Sequence, residues 1–229
     1  MGSLRDNLYY VSKMEWEKKL LLLTSIASDL QKIHSQGLIH RDLHSGNILL
    51  RNLYSAYIAD LGLSALVNIG SSNNQICGIP PYIAPEVLSN GNKEYSTASD
   101  VYSFGIIAYE VVSGLPVYHD IPHDINLLSA IYNGLRPSIP QHVPKLVKEL
   151  IIKCWDGQKD KRPTSEDIFN TLNMWDSSIL SDTSTEMDTQ ISSDETVELI
   201  PIHVKIHSEV TYTSRKFAPL SSKYIINSD

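Results

Sequence analysis

The stretch His40-Arg41-Asp42-Leu43-His44-Ser45-Gly46-Asn47 constrains this chain more than any other, because it sets a carboxylate and a carboxamide five residues apart between a helical pattern and a short apolar strand. A loop with an Asp and then an Asn suits phosphoryl transfer: one side chain orients a hydroxyl nucleophile while the other holds a metal ion on the transferred phosphate. That chemistry calls for a second carboxylate, and Asp60 in Asp60-Leu61-Gly62 supplies it just beyond the apolar run Tyr57-Ile58-Ala59. Asp60 and Asn47 together offer oxygen donors of the kind magnesium takes.

Upstream, Trp16, Leu20, Leu23, Ile26, Ala27, Leu30 and Ile33 recur at three and four, one face of a helix that stops at Gly37. Ile48-Leu49-Leu50 and Tyr57-Ile58-Ala59 read as two short strands around the turn at 51–56, displaying Asn47 at one end and Asp60 at the other. Residues 63–83, rich in Ser, Asn, Gly and Pro and without sustained period, read as a mobile segment. Its Ser64, Ser71 and Ser72 are either phosphorylation sites or solvated loop hydroxyls. Thr97-x-x-Asp100 has the spacing of a capping box, and the sequence to Val112 is apolar nearly all round, as in a buried central helix. Further helices are expected at about 124–133, at 144–155, and from Thr164 through Ile168, Phe169, Leu172 and Trp175.

These motifs resemble, in order, those of the protein kinase family. His40 to Asn47 is similar to its catalytic loop H-R-D-L-x-x-x-N, Asp60-Leu61-Gly62 to its D-F-G, and Ala84-Pro85-Glu86 to its A-P-E. Asp100-Val101-Tyr102-Ser103-Phe104-Gly105, Cys154-Trp155 and Arg162-Pro163 continue the order, and the resemblance covers residues 1–175. It implies a mainly α fold with a small β-hairpin, the C-terminal lobe of a kinase. No G-x-G-x-x-G occurs, and Lys13, Lys18 and Lys19 lie in helical sequence, so the chain is expected to lack the N-terminal lobe.

The resemblance also implies roles. Asp42 would be the catalytic base, with Asn47 and Asp60 holding magnesium on the phosphates of ATP and Leu49 lying beneath the adenine. His40 and Asp100 would hold the loop's backbone, Arg41 would pair with a phosphate on the 63–83 segment, and Glu86 with Arg162 would anchor that segment. Leu61 in place of Phe keeps the packing and the ligand, whereas His44 and Ile79 depart from the family pattern and leave the hydroxyl type open, Ser/Thr or Tyr. The function implied is a protein kinase using ATP and Mg2+ on a protein substrate. The alternative is a catalytically silent pseudokinase lobe acting as a protein-binding or scaffold module, and a protein covering the face of the missing lobe is an expected partner.

Charge and cysteine usage narrow the partners. Of the net −7, residues 176–229 carry nine acids and four basic residues, leaving the first 175 residues at −2. No basic face for nucleic acid is therefore expected. Cys77 and Cys154, far apart, suit a reducing compartment, and no apolar run spans a membrane, so an intracellular, cytoplasmic place is expected. Residues 176–198 hold seven acids, no basic residue and ten Ser or Thr, an acidic linker expected to be disordered through residue 199. In the remaining tail, 200–229, Ile200, Ile202, Val204 and Ile206 alternate with polar residues and Pro201, as in a short accessory strand.

Overall fold

A computed structural model of the chain describes residues 1–66, 75–180 and 206–221, with the side chains at 65–66, 92–93 and 176–180 excepted. Among the described residues, seven α-helices run in chain order: α1 (Leu8–Ser12), α2 (Trp16–Ser35), α3 (Pro85–Asn90), α4 (Thr97–Ser113), α5 (Ile125–Tyr132), α6 (Lys145–Cys154) and α7 (Ser165–Leu180). Six short strands among the described residues, β1 (Leu38–Ile39), β2 (Ile48–Asn52), β3 (Ser55–Ile58), β4 (Ala65–Leu66), β5 (Ile76–Gly78) and β6 (Arg215–Phe217), form antiparallel pairs β1–β4, β2–β3 and β5–β6. The result is the expected mainly helical architecture, with two more strand pairs than the one hairpin foreseen.

Helix α4 is the axis of the fold. Its apolar sequence is buried on nearly every side, with Tyr102, Phe104, Ile106, Ile107 and Val111 shut off from solvent. Gly105 lets α6 come close, since a Cβ there would lie 2.9 Å from Cys154 Cβ. Gly114 ends the helix at φ 71°, where a Cβ would collide with Ser12 of α1. Helix α2 buries the foreseen stripe from Trp16 to Leu30, to which Lys19 and Leu22 are added, and packs along α7.

The capping box of α4 sits one residue away from the expected frame. Ser96 Oγ accepts from the Ser99 amide and Ser99 Oγ accepts from the Ser96 amide, so Thr97 is the first helical residue and not the cap. Asp100 cannot reach back to cap because its two oxygens are committed elsewhere, as described below. For α7, Thr164 and Asp167 do exchange side-chain and backbone hydrogen bonds at the N-terminus. That helix runs on to Leu180, so residues 176–180 begin as helix where the acidic linker was expected to start.

The 63–83 segment is not structureless where it is described. β4 pairs with β1 in the register Leu38↔Leu66 and Ile39↔Ala65, and β5 and a turn at Pro80–Tyr82 follow. Two- and three-residue strands carry no readable period of their own, because their partners lie far along the chain. Residues 67–74, including Ser71 and Ser72, lie outside the described residues, and Ser64 Oγ is buried. At the chain's start, Leu4 N–H donates to Ile48 O (2.7 Å) and Leu50 N–H to Gly2 O (3.0 Å), laying residues 2–4 along the free edge of β2.

The alternation expected as a short accessory strand falls largely outside the described residues. Residues 200–205 lie outside the described residues, and Ile206 is exposed and outside any strand. In the described part of the tail a strand forms at β6, against β5, in the register Ile76↔Phe217, Cys77↔Lys216 and Gly78↔Arg215.

Candidate active site

The loop between β1 and β2 has little regular structure of its own, and a buried carboxylate of α4 organises it. Asp100 Oδ2 accepts from the His40 amide (2.7 Å) and Oδ1 from the Arg41 amide (3.0 Å). The imidazole of His34 on α2 completes the set, with Nε2 2.9 Å from Asp100 Oδ2 and Nδ1 2.9 Å from Ser165 Oγ at the start of α7. Helices α4 and α2 thus meet on one carboxylate, His34 carries the connection on to the start of α7, and two loop amides are fixed by the carboxylate. The backbone responds with a left-handed Arg41 at φ 70°, a conformation that costs a β-bearing residue free energy and persists only where its surroundings hold it.

His40 ties the loop to the hairpin. The Asp42 amide donates to His40 Nδ1 (3.3 Å), which leaves the proton on Nε2 to be donated to Ala59 O at 3.1 Å. Asn47 closes the loop from its far end, Nδ2 donating to Asp42 O (2.9 Å), while Asn47 O accepts from the Ala59 amide (2.8 Å). Asn47 is therefore bound to both sides, and its side-chain carbonyl oxygen is the end turned away from the loop backbone.

Asp42 itself is 8% exposed, and its Oδ1 accepts no hydrogen bond among the described residues. His44 Nε2 lies 3.7 Å from that oxygen, beyond hydrogen-bonding reach. On the other side of the ring, the Arg5 guanidinium approaches His44 Nδ1 at 3.4 Å, so Nδ1 is the acceptor and the proton sits on Nε2, toward Asp42. A buried carboxylate oxygen without a partner, on a loop fixed at both ends, is ready to accept from an incoming hydroxyl.

Asp60 sits one residue past the Ala59 bond to Asn47, in the left-handed region at φ 62°, with Oδ1 accepting from the Gly62 amide (3.2 Å). It is exposed, as is Leu61, at the open end of the hairpin. The carbonyl of Asn47 and the Asp60 carboxylate are hard oxygen donors at neighbouring positions, the donor class that fits magnesium when phosphate and water oxygens fill the remaining places. Among the described residues no group of three or more His, Cys, Asp or Glu could hold a metal by itself. Leu49, half-buried on β2, faces the bridge to Ser3.

The remaining expected residues lie behind this face. Glu86 and Arg162 form a bidentate pair, Nη1 to Oε1 and Nη2 to Oε2, both at 2.8 Å. The Arg162 side chain is fully buried, and its other donors reach Ala98 O (2.9 Å) and Asp156 O (2.8 Å). Arg41 stacks over Tyr95, Cζ 5.7 Å from the ring centroid, at the edge of the site.

Sequence reading missed His34, Arg5, Tyr82 and Glu110. Tyr82 O–H donates to Glu110 Oε1 (2.7 Å), which also accepts from the Val117 amide (3.0 Å), and Ser45 Oγ lies 3.0 Å from the same phenol oxygen. Burial pushes the Glu110 carboxyl above its ordinary range, with these hydrogen bonds opposing the rise. A Glu in the apolar run of α4 was the available signal for this network. For His34 and Arg5, whose partners are dozens of residues away, the sequence holds none.

Residues 1–172 match the family model described as protein tyrosine and serine/threonine kinase. The chain is 37% identical over 177 residues to a LIM domain-containing serine/threonine-protein kinase of Dictyostelium discoideum, an alignment covering 75% of this chain and 18% of that relative. A second serine/threonine-protein kinase of Dictyostelium discoideum is 34% identical over 153 residues, with 67% and 11% covered. A serine/threonine-protein kinase/receptor of Acanthamoeba polyphaga mimivirus is 33% identical over 174 residues, with 75% and 10% covered. The chain spans less than a fifth of the length of each of these relatives.

Proposed function

The chain belongs to the protein tyrosine and serine/threonine kinase family, and from that membership we propose that its site serves magnesium-ATP-dependent phosphoryl transfer to a hydroxyl of a protein. The observation that carries the reading is the Asp42 carboxylate, buried and without a hydrogen bond on Oδ1, in a loop pinned by Asp100 on one side and Asn47 on the other. Asp42 accepts the hydrogen bond of the substrate hydroxyl and orients its oxygen toward the phosphorus. Asn47 Oδ1 and the Asp60 carboxylate would hold magnesium, which would supply charge neutralisation at the phosphate oxygens. His44, proton on Nε2, sits beside the carboxylate without occupying it. The relatives named as serine/threonine kinases favour Ser or Thr as the acceptor.

The test is phosphate incorporation from radiolabelled magnesium-ATP into a generic protein substrate, with a relative's glycine-rich small lobe supplied at the N-terminus of this chain. Asp42→Asn keeps the size of the side chain and removes the charge that orients the nucleophile, and is expected to lower kcat by about 100-fold or more. Asp60→Ala is expected to abolish the magnesium dependence of nucleotide binding. Transfer that survives Asp42→Asn at full rate would overturn the assignment. A silent protein that still binds magnesium-nucleotide would favour the alternative, a protein-binding pseudokinase lobe.

A further inference from the structure

Two residues that the proposed transfer leaves without a part, Arg5 and Gly46, meet at the imidazole beside Asp42. Arg5 lies in the turn Arg5–Asn7 and is half-buried. Its guanidinium is held from several sides. Nη1 donates to Tyr212 O (2.8 Å), and Cζ lies 4.9 Å from the centroid of the Tyr212 ring and 5.9 Å from that of Tyr82. Both rings are themselves anchored, Tyr82 on Glu110, and Tyr212 by a hydrogen bond to Val117 O (2.7 Å) and an edge-on contact with His123 (5.0 Å). Nη2 is the nitrogen left for the site, 3.4 Å from His44 Nδ1.

A guanidinium carries donors and no acceptor, so its hydrogen bond to His44 requires the lone pair on Nδ1. The proton of the neutral ring is thereby placed on Nε2, the nitrogen 3.7 Å from Asp42 Oδ1. Gly46 keeps this meeting point open. A Cβ there would lie 2.9 Å from Arg5 Nη1 and 3.0 Å from His44 Nδ1. The His44 ring is buried and leans on Tyr82, with centroids 5.9 Å apart. We infer that Arg5 is a positioning residue for the transfer: it fixes the His44 tautomer so that a donor, and not an acceptor, faces the Asp42 carboxylate. The physical reason is competition for one proton. In the other tautomer the Nε2 lone pair would face Asp42 Oδ1, repel it, and offer an incoming hydroxyl a second acceptor beside the first. With Nε2 protonated, that hydroxyl has the carboxylate to donate to, and its oxygen takes one direction. The consequence for transfer rests on the phosphoryl-transfer reading, whereas the tautomer does not.

The experiment therefore has two readouts. The first is the ring-nitrogen NMR shifts of His44 in the isotopically labelled full chain without nucleotide, at pH about 8, where an ordinary imidazole is neutral. The spectrum of His44→Gln, which lacks that ring, assigns its signals among the eight histidines. The wild-type ring is expected as the Nε2–H form. In Arg5→Met the ratio of Nε2–H to Nδ1–H should fall about tenfold, the change expected for losing a hydrogen bond from a charged donor. Gly46→Ala should do the same while leaving Arg5 in the sequence, since Gly46 is outside the left-handed region and a methyl there acts by displacing the guanidinium. The second readout is phosphate transfer with the small lobe supplied as above. Both variants should lower kcat about tenfold and leave KM for magnesium-ATP within about twofold, the mark of an interaction that matters in the transition state. Arg5→Lys keeps a donor without the fork and should recover tautomer and kcat in step, and only in part. An unchanged tautomer in the variants would overturn the positioning role, and so would a shifted tautomer at undiminished kcat. If the wild-type protein transfers no phosphate while the tautomer shifts as expected, the transfer reading falls and the catalytic consequence falls with it. Should Arg5→Met fail to fold, Gly46→Ala decides the matter.

Discussion

At the scale of single residues, the site and the core place charge in opposite ways. Asp100 is buried with three donors on its two oxygens, and Asp42 is buried with one oxygen unengaged, so the first is fixed and the second is available. Lys19 shows what a buried charge without such partners does. Its ammonium lies over the Trp16 ring and donates to Ser12 O (3.1 Å), yet burial lowers it from its ordinary 10.5 to about 8. Below pH 8 both folded and unfolded chains hold that proton, and the folded chain bears the cost of the buried charge, about 3 kcal/mol. Between pH 8 and 10.5 the unfolded chain binds more protons, so this cost is relieved as pH rises. Lys19→Met keeps the stem on Trp16 and removes the charge, and is expected to stabilise the chain by about 1–2 kcal/mol at pH 7 once the lost hydrogen bond is subtracted. Urea denaturation of both proteins at pH 7 and pH 9.5 checks this. The advantage of the variant should shrink at the higher pH; the buried tyrosines, held above their ordinary range in the folded chain, begin to ionise there only on unfolding and affect both proteins alike.

At the scale of elements, helix ends and strand edges do the positioning. The C-terminal half of the 63–83 segment leads into α3, whose Glu86 is tied to Arg162 ahead of α7. Arg162 also caps the carbonyls of Ala98 and Asp156, so one guanidinium joins α3, the first turn of α4 and the end of the α6 loop. Arg162→Ala leaves Glu86 mostly buried without its partner and should cost about 3–5 kcal/mol, read as a lowered urea midpoint with unchanged slope. Arg162→Lys keeps the charge and loses the fork, and should recover less than half of that loss. Equal midpoints for Arg162→Ala and the wild-type chain would mean that the pair does not join these elements.

At the scale of the whole molecule, three of the exposed large apolar residues flank Asp60 in sequence. Tyr57, Leu61 and Leu63, at the Asp60 end of the hairpin, are 38%, 48% and 40% exposed. Leu61 and Leu63 there present apolar surface of the kind that marks an interaction site. The backbone hydrogen bonds of the described tail residues run from His119 to Leu88, along the β5 side. The chain is therefore expected to self-associate through this end, and Leu61→Ser/Leu63→Ser should reduce the concentration dependence of light scattering without shifting the Tm by more than about 2–4 °C. Unchanged scattering would place the association elsewhere. Among the described residues no helix is long and apolar enough to cross a membrane.

What the sequence by itself determined is what local pattern can carry. The period of α2 and the near-continuous apolar run of α4 located the two central helices, and the turn between β2 and β3 set Asn47 and Asp60 at neighbouring ends of one hairpin. The order of short motifs marked Asp42, Asn47 and Asp60 together, because spacing within a loop survives in sequence. What the tertiary structure decided is every relation across distance: His34 on Asp100, Arg5 between the tail and His44, Tyr82 on Glu110, and β6 on β5. These pairs are 28 to 207 residues apart in the hydrogen bonds that make them. A three-residue strand such as β6 has no period to read and no core of its own. It exists because a free edge, a guanidinium and a tyrosine pocket were assembled elsewhere in the chain and together offset the entropy of ordering it.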